Sequence, residues 1–314
     1  MATAKGSNVQ LLLVEESTWG TTPGTPAGYK IPVSQVSIGM RRNLIDNTEL
    51  RGNRNAAAPV KGNVSVEGNF VHPLHLDAVG WLLKHGIGAP TTSGIGPYTH
   101  VFKVGSSLPT GIELEVGYTD IGQYELHKGC RVQSLRFQAE PEGVAQVTVT
   151  VVGRETTAGS SSVDSTPTEY TSVAIPQFDA SIQEGGAAIA IVTALDLTVE
   201  NNLDDSVYVV GGSGLRADLP EDTVRVTGQL TALFQDLTLY NKALNHTESS
   251  LKLTWTSGSE SLEILVPELV YEPASPAVNG PAGVRITLNF RGYYQDSTEA
   301  SVVQATLVNS VASY

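Results

Sequence analysis

A few residues of the sequence have the types and spacing that metal or phosphate chemistry needs. His72 and His75 lie three positions apart near Glu67, and a third ligand would complete a metal site. No third ligand is evident, so we expect structural or exposed histidines. Residues 211–216 read GGSGLR and resemble a phosphate-binding loop, but residues 218–220 read DLP and prevent the helix that such a loop requires. We therefore expect a flexible loop there.

Two pairs of adjacent acids, Asp204 with Asp205 and Glu221 with Asp222, offer the oxygen ligands that a divalent cation prefers. Adjacent acids in loops are usually only solvated, and that reading is favoured. The sequence contains no nucleophile elbow, no P-loop and no HExxH motif. Its one cysteine, Cys130, allows no intrachain disulfide and fits a small buried apolar group. We expect no catalytic residue, no cofactor, no metal and no enzymatic activity.

Length and composition indicate a two-domain globular protein. The 314 residues are enough for two domains of about 150 residues each, and 40% of them are hydrophobic. No apolar run approaches the ~20 residues that span a bilayer, and the first residues lack a signal-peptide core. We expect folding in a cytoplasm and no membrane partner.

The charge is unevenly distributed along the chain. The net charge is −13, and residues 1–155 are balanced, so the excess of acid lies in residues 156–314. This argues against tight phosphate binding by the whole chain. It fits either a surface that repels DNA or simply an acidic, soluble surface.

Apolar residues recur mostly with the period of β-strands, which predicts a mainly β protein. Residues 1–34 are rich in Gly, Pro and Thr and predict an extended arm. Helical spacing appears at residues 74–86 and again near 237–245. Residues 41–61 and 201–222 read as long polar connections, which are usually functional or disordered.

The β-rich pattern occurs twice in the same order. Residues 64–70 read VSVEGNF and residues 224–230 read VRVTGQL, each followed by an apolar stretch. Upstream, NLID at 43–46 matches NLDD at 202–205; downstream, VTVTVVG at 147–153 matches ITLNFRG at 286–292. The order predicts one fold copied and fused. We expect an arm over 1–34, a β unit over 35–155, a linker or excursion over 156–190 and a second β unit over 191–314.

Several segments resemble the siphophage major tail tube protein family, in a long form with an internal duplication. The segments in order are EESTWGTTPGTP at 15–26, ELRGNR at 49–54, GNVSVEG at 62–68, YTHVF at 98–102 and GCRVQSL at 129–135. The resemblance implies two tandem β-sandwich or barrel units, each with one flanking short α-helix. It carries over no catalytic residue, because these are structural motifs.

The resemblance also implies a function. Family members form rings of six units whose inner strands join into one barrel, and the rings stack into a tube that conducts genomic DNA during ejection. Two units in one chain predict a trimeric ring with pseudo-sixfold symmetry. The implied partners are the chain itself, a tape measure protein, a tail terminator and distal tail proteins, in a virion tail. DNA would pass without specific binding, through a lumen that we expect to be acidic.

We expect contacts between rings from the arm and the two polar connections. The segment 41–61 lacks the interleaved aromatic residues of nucleic-acid binders, which favours a protein partner. The candidate basic residues are Arg41, Arg42, Arg51 and Arg54, and the candidate acids of the next ring are Asp204, Asp205, Glu221 and Asp222.

Two other interpretations stay open from the sequence. One is another phage virion component, such as a tail terminator or a head decoration protein. The other is a carbohydrate-binding β module, which would need a cluster of exposed aromatic residues. Tyr, Phe and Trp make up only 6% of the chain and are scattered along it, which disfavours that module.

Overall fold

The computed structural model describes residues 3–105, 107–278, 280–281 and 283–314. It is mainly β, with two short α-helices among these residues, as the sequence predicted. The elements of the first half are β1 Val9–Glu15, β2 Gly28–Ile31, β3 Gln35–Ile45, β4 Val60–Pro73, α1 Val79–Gly86, β5 Thr91–Ser93, β6 Tyr98–Lys103, β7 Ile112–Tyr118, β8 Gln123–Ala139, β9 Gln146–Gly153 and β10 Glu155–Gly159.

The elements of the second half follow a similar sequence of lengths and types. They are β11 Ala180–Glu184, β12 Ala187–Ala188, β13 Val192–Glu200, β14 Arg225–Leu233, α2 Thr238–Leu244, β15 Ser249–Ser257, β16 Glu260–Tyr271, β17 Arg285–Tyr293 and β18 Gln304–Asn309.

A central antiparallel sheet runs through both halves in the order β3-β4-β9-β8-β13-β14-β17-β16. The first four strands of this sheet, β3-β4-β9-β8, belong to the first half, and the last four, β13-β14-β17-β16, belong to the second. In each set the first two strands along the chain lie side by side, and the last two follow in reversed order. The two halves meet where β8 pairs with β13. The strand order therefore repeats across the sheet, as the sequence matches do along the chain.

Each half also has a second sheet, which shares its longest strand with the central one. In the first half this sheet is β2-β1-β7-β8-β10, and in the second it includes β11-β15-β16-β18. Strand β8 changes sheets near Gly129, whose φ of +61° is in the region that favours glycine. Both sheets are open, and the buried side chains form a single core cluster across both halves.

Two glycines at equivalent positions show why the repeat keeps this residue. Gly68 lies between Ile38 and Val151 in the sheet, and Gly228 lies between Leu197 and Phe290. A Cβ at Gly68 would overlap the backbone of Ser37, and one at Gly228 would overlap the backbone oxygen of Asp196 and the Phe290 ring. Both sites require the absence of a side chain.

Three predictions from the sequence need correction. The expected arm contains β1, whose Leu11, Leu12 and Leu13 are buried between β2 and β7; the Gly/Pro-rich residues 18–26 hid this short apolar strand. The first helix begins at Val79, because β4 continues through Pro73. The two ends of the expected connection 41–61 belong to the strands of the β3–β4 hairpin, and residues 46–59 lie outside them.

The predicted linker at 156–190 also contains regular structure. Strand β10 pairs with β8, and β11 pairs with β15, so the repeated strands extend over residues 9–159 and 180–309. Among the described residues, the short strands β5 and β6 have no counterpart in the second half. Strand β6 pairs with β18 and so completes a sheet of the second half with residues of the first.

Candidate assembly surfaces

The N-terminal motif is fixed to the motif that begins at Gly129. The carboxylate of Glu16 is 5% exposed and accepts hydrogen bonds from the backbone N–H groups of Gly20 and Gly129, each at 2.7 Å. The Trp19 indole donates to the Gly129 carbonyl at 3.1 Å, and the Arg154 guanidinium lies 5.5 Å from its ring centre. Burial raises the pKa of Glu16 to about 7. Two segments far apart in sequence thus form one structural anchor.

The neighbouring Glu15 has the opposite electrostatic environment. Lys84 lies 2.5 Å and His85 2.9 Å from its carboxylate. Burial alone would raise the pKa of Glu15, but the hydrogen bonds from His85 and Lys84 outweigh it and lower the pKa to about 2. Glu15 therefore ties β1 to α1 as an ionised group.

The solvent-facing side of the central sheet is polar and carries charges of both signs. Its outward positions alternate with buried Val, Leu and Phe along each strand, as in a sheet with one wet face. Short uncharged side chains such as Thr148, Thr198, Thr227, Thr287 and Asn289 separate the charges. Charged residues on this face include Arg41, Lys61, Glu67, Arg131, Arg136, Asp196, Glu200, Arg225, Glu272, Arg285 and Arg291. The acid excess of the second half is thus not concentrated here.

The seam between the two halves contains a side-chain ion pair. Arg136 on β8 donates from Nε to both carboxylate oxygens of Asp196 on β13, each at 2.9 Å. Gln138 also donates to Asp196, at 3.5 Å. The backbone ladder continues past the strand, where the Asn201 N–H donates to Gln133 at 2.8 Å.

The central sheet has two open edges. At one edge, β3 pairs with β4 on one side only, and Met40, Leu44 and Ile45 are exposed there. At the other edge, residues 272–277 run beside β17 without forming a strand. Unpaired strand edges bind other chains readily.

The predicted basic residues lie on or beyond the β3–β4 hairpin. Arg41 and Arg42 are in β3 and are exposed, and Arg42 donates to the Ser213 carbonyl at 3.3 Å. Arg51 and Arg54 lie in the exposed segment 46–59, where Arg51 is 3.4 Å from Glu49. This segment forms hydrogen bonds mainly with itself, so it is available to a partner.

The predicted acids lie in the connection between β13 and β14, and two of them already hold arginines of the same chain. Asp205 is 3.5 Å from Arg216, and Glu221 is 2.9 Å from Arg131. Asp204 and Asp222 stabilise local turns instead. Asp204 accepts from the Ser206 N–H at 3.0 Å, and Asp222 from the Thr223 N–H at 2.6 Å. Within the described part of the chain, no predicted arginine forms an ion pair with a predicted acid.

The sequence analysis missed Arg216, which fixes the connection to the first half. Arg216 is 2% exposed; its guanidinium donates to the Gly153 carbonyl at 2.7 Å and to Glu67 at 3.1 Å. The expected flexible loop at 211–216 is therefore held in place, and the Val64 N–H donates to Gly214 at 2.7 Å. Only the sheet order brings these residues together, so no local sequence signal identifies Arg216.

The remaining candidate residues have structural partners. His72 is fully buried; its Nδ1 lies 2.7 Å from the Pro32 carbonyl, and its Nε2 accepts from the His75 N–H at 3.3 Å. Burial lowers the pKa of His72 to about 4. Cys130 is buried, which raises its thiol pKa. No His, Cys, Asp and Glu side chains in the described ranges form a three-ligand cluster for a metal.

A search for membrane spans found no helix in the described ranges with the length and hydropathy needed to cross a bilayer. Comparison with curated proteins gave no match. A sequence model of the family described as phage tail tube protein matches residues 6–292, which is most of the chain and includes the first repeated half and the second as far as β17. Because this match spans most of the chain, the chain belongs to the phage tail tube protein family.

Proposed function

We propose that the protein is the major tail tube subunit of a phage with a long non-contractile tail. Three copies would form a ring with pseudo-sixfold symmetry, and the rings would stack. The observation that carries this proposal is the repeat of one four-strand order, β3-β4-β9-β8 and β13-β14-β17-β16, within a single chain. Each chain then supplies two of six equivalent places.

Ring closure follows from the chemistry of the open sheet edges. The edge of β3 and the residues beyond β16 leave backbone groups without strand partners in the single chain. A closed ring satisfies these groups at every junction, so it is more stable than the separate chains. The protein's role is structural in this proposal, with no enzymatic step.

The polar face of the central sheet would line the lumen. Its threonine, asparagine and glutamine side chains are short, and its arginines are interspersed with carboxylates such as Asp196 and Glu272. A surface of mixed charge offers DNA neither a basic track nor strong repulsion, so DNA would slide without specific binding. We propose this in place of the acidic lumen expected from the sequence.

Contacts between rings would come from the exposed segment 46–59. Arg51 and Arg54 project there, and Leu50 is fully exposed. Asp204 and Asp222 of the next ring remain candidate acids, whereas Asp205 and Glu221 would have to exchange partners. In the assembled virion the tube would also meet a tape measure protein, a tail terminator and distal tail proteins, after assembly in the host cytoplasm.

Electron microscopy of the purified protein at rising concentration tests this proposal. Class averages down the ring axis should show threefold true and sixfold apparent symmetry, with a mass of three chains per ring. Rings of six chains would refute the fused-unit geometry while keeping the tube. Single rings that never stack would favour a tail terminator, and monomers at every concentration, even with preformed tube ends, would refute the tube subunit.

A further inference from the structure

The pairing of β8 with β13 joins the two halves of one chain, and its register can be used as a template to derive the register of a seam between two chains. In this template Ser134 lies opposite Glu200. Strands β3 and β13 hold the same position in their halves, because Ile38 lies opposite Gly68 as Leu197 lies opposite Gly228. Counting along both strands makes Arg41 the counterpart of Glu200.

The same counting identifies the counterpart of Ser134 at the far edge of the second half. Ser134 lies opposite Thr150 on β9, and the residue of β17 equivalent to Thr150 is Asn289. The backbone N–H of Glu272 donates to the Asn289 carbonyl at 2.8 Å. Glu272 therefore stands where Ser134 stands in the first half, at the start of the open edge.

We propose that residues 272–277 of one copy pair as a β-strand with β3 of a second copy, with Arg41 of one chain opposite Glu272 of the other. This inference rests on the ring geometry proposed above and names its interface. The partner is a second copy of this chain, because only β3 among the described strands repeats the position of β13 and still has a free side.

Charge and geometry at this place are complementary. Arg41 is exposed on the polar face, and the Glu272 carboxylate on the same face is held by Arg291 at 3.0 Å and Asn289 at 3.3 Å. In the template, the next pair along the seam is hydrogen-bonded through Asn201, so the Ser134 position is a non-hydrogen-bonded pair. Side chains lie closest at such pairs, which brings Arg41 within reach of Glu272.

Two prolines limit the backbone hydrogen bonds that the edge formed by residues 272–277 can make. Pro273 and Pro276 lack the N–H that a strand ladder needs, and residues 272–277 return to β17 only at the bridge between Ala277 and Arg285. Proline on an edge blunts it against indiscriminate pairing. Residues 272–277 would become a strand only when β3 of the neighbouring copy pairs with them. The stability of this seam between chains would therefore depend on the Arg41–Glu272 pair more than the stability of the seam within the chain depends on Arg136.

Disulfide trapping tests this register. The variant Arg41→Cys/Glu272→Cys, assembled under reducing conditions and then mildly oxidised, should give covalent trimers on a non-reducing gel. Met40→Cys/Glu272→Cys is the matched control, because a shift of one residue turns the side chain to the other face; it should link at least tenfold less. Ser134→Cys/Glu200→Cys reports oxidation of the template pair within a chain.

The outcomes separate this seam from the ring itself. Rings of the Arg41→Cys/Glu272→Cys variant that stay unlinked, while the template pair oxidises, would overturn the seam and keep the ring. A wild-type protein that forms no ring would overturn the proposed function first. If the cysteine substitutions prevent assembly, exchange of the two charges tests the pair instead. Arg41→Glu and Glu272→Arg should each lower ring yield several-fold and restore it together, and single variants that assemble like wild type would refute the pair.

Discussion

The carboxylate of Glu16 accepts a hydrogen bond from the backbone N–H of Gly129 at 2.7 Å, across 113 residues of sequence. This contact joins the two most distinctive motifs of the first half, EESTWG and GCRVQSL. It holds the end of β1 against the bend of β8, where the strand passes from one sheet to the other. The motif thus stabilises the point on which both sheets of the first half depend.

Removal of the Glu16 carboxylate should destabilise the protein. Glu16→Ala leaves two buried N–H groups, those of Gly20 and Gly129, without their acceptor, at a cost of about 1–3 kcal/mol each. Glu16→Gln retains one acceptor oxygen and should cost less. Urea unfolding at pH 7 measures both, and equal losses for the two variants would contradict the hydrogen-bonding role.

The two equivalent glycines of the central sheet should tolerate no side chain. Gly68→Ala and Gly228→Ala place a Cβ against the neighbouring backbone, and we expect a loss of roughly 1–3 kcal/mol each from the resulting overpacking. Gly39→Ala is the matched control in β3, since nothing lies within 4 Å of its added Cβ. Thermal unfolding should rank the three variants, and a Gly39 variant as unstable as the others would refute the steric argument.

Arg216 should contribute strongly to stability through its position rather than its charge alone. Arg216→Met leaves the buried Gly153 carbonyl without its donor, at a cost of about 1–3 kcal/mol. It also removes the ion pair with Glu67, which adds at most about 1 kcal/mol because the Glu67 side chain is 43% exposed and screened by water. Arg225→Met is the control at an exposed arginine on the sheet face. Proteolysis of residues 201–224 should accelerate in the first variant only; unchanged protection would show that the loop is held by other contacts.

Acid should destabilise the protein through His127. Burial lowers the pKa of this imidazole to about 4, below its unfolded value of 6.5. The unfolded chain therefore binds the proton first, and stability is lost as the pH falls from about 6.5 to 4. His127→Gln should flatten this part of the stability profile, whereas His246→Gln, at an exposed site, should not. Parallel profiles for all three proteins would refute this assignment.

Burial of Glu16 should act with the opposite sign over part of the same range. Its pKa is about 7 in the folded protein and 4.5 in the unfolded chain. The folded protein holds the proton longer, so this group's contribution to stability is greatest below pH 4.5 and declines as the pH rises to 7. In a His127→Gln background, unfolding free energies between pH 4.5 and 7 should decline less steeply with rising pH after Glu16→Gln than before it. Identical slopes would contradict the raised pKa.

The sequence was informative wherever a property is local. The β-strand period of the apolar residues predicted a mainly β protein, and the helical spacing near 237–245 predicted α2. The family resemblance rested on motifs such as EESTWG, and the family match confirms it. Gly68 and Gly228 marked the repeat because the sheet admits no other residue at either place.

The sequence was uninformative where distant segments decide the structure. Leu11, Leu12 and Leu13 form a short apolar run beside a Gly/Pro-rich stretch, and only pairing with β7 makes them a core strand. Asp205 and Glu221 read as free acids, because their partners Arg216 and Arg131 become neighbours only in the folded sheet. Contacts of this kind depend on topology, which no local pattern encodes.

The pairing of β6 with β18 has a consequence for biosynthesis. Residues 98–103 emerge from the ribosome about two hundred residues before their partner strand at 304–309. The first half therefore presents an unsatisfied edge throughout synthesis of the second, and long-range pairings of this kind form slowly. An incomplete chain therefore leaves β6 without β18, and unpaired strand edges of this kind bind other chains readily.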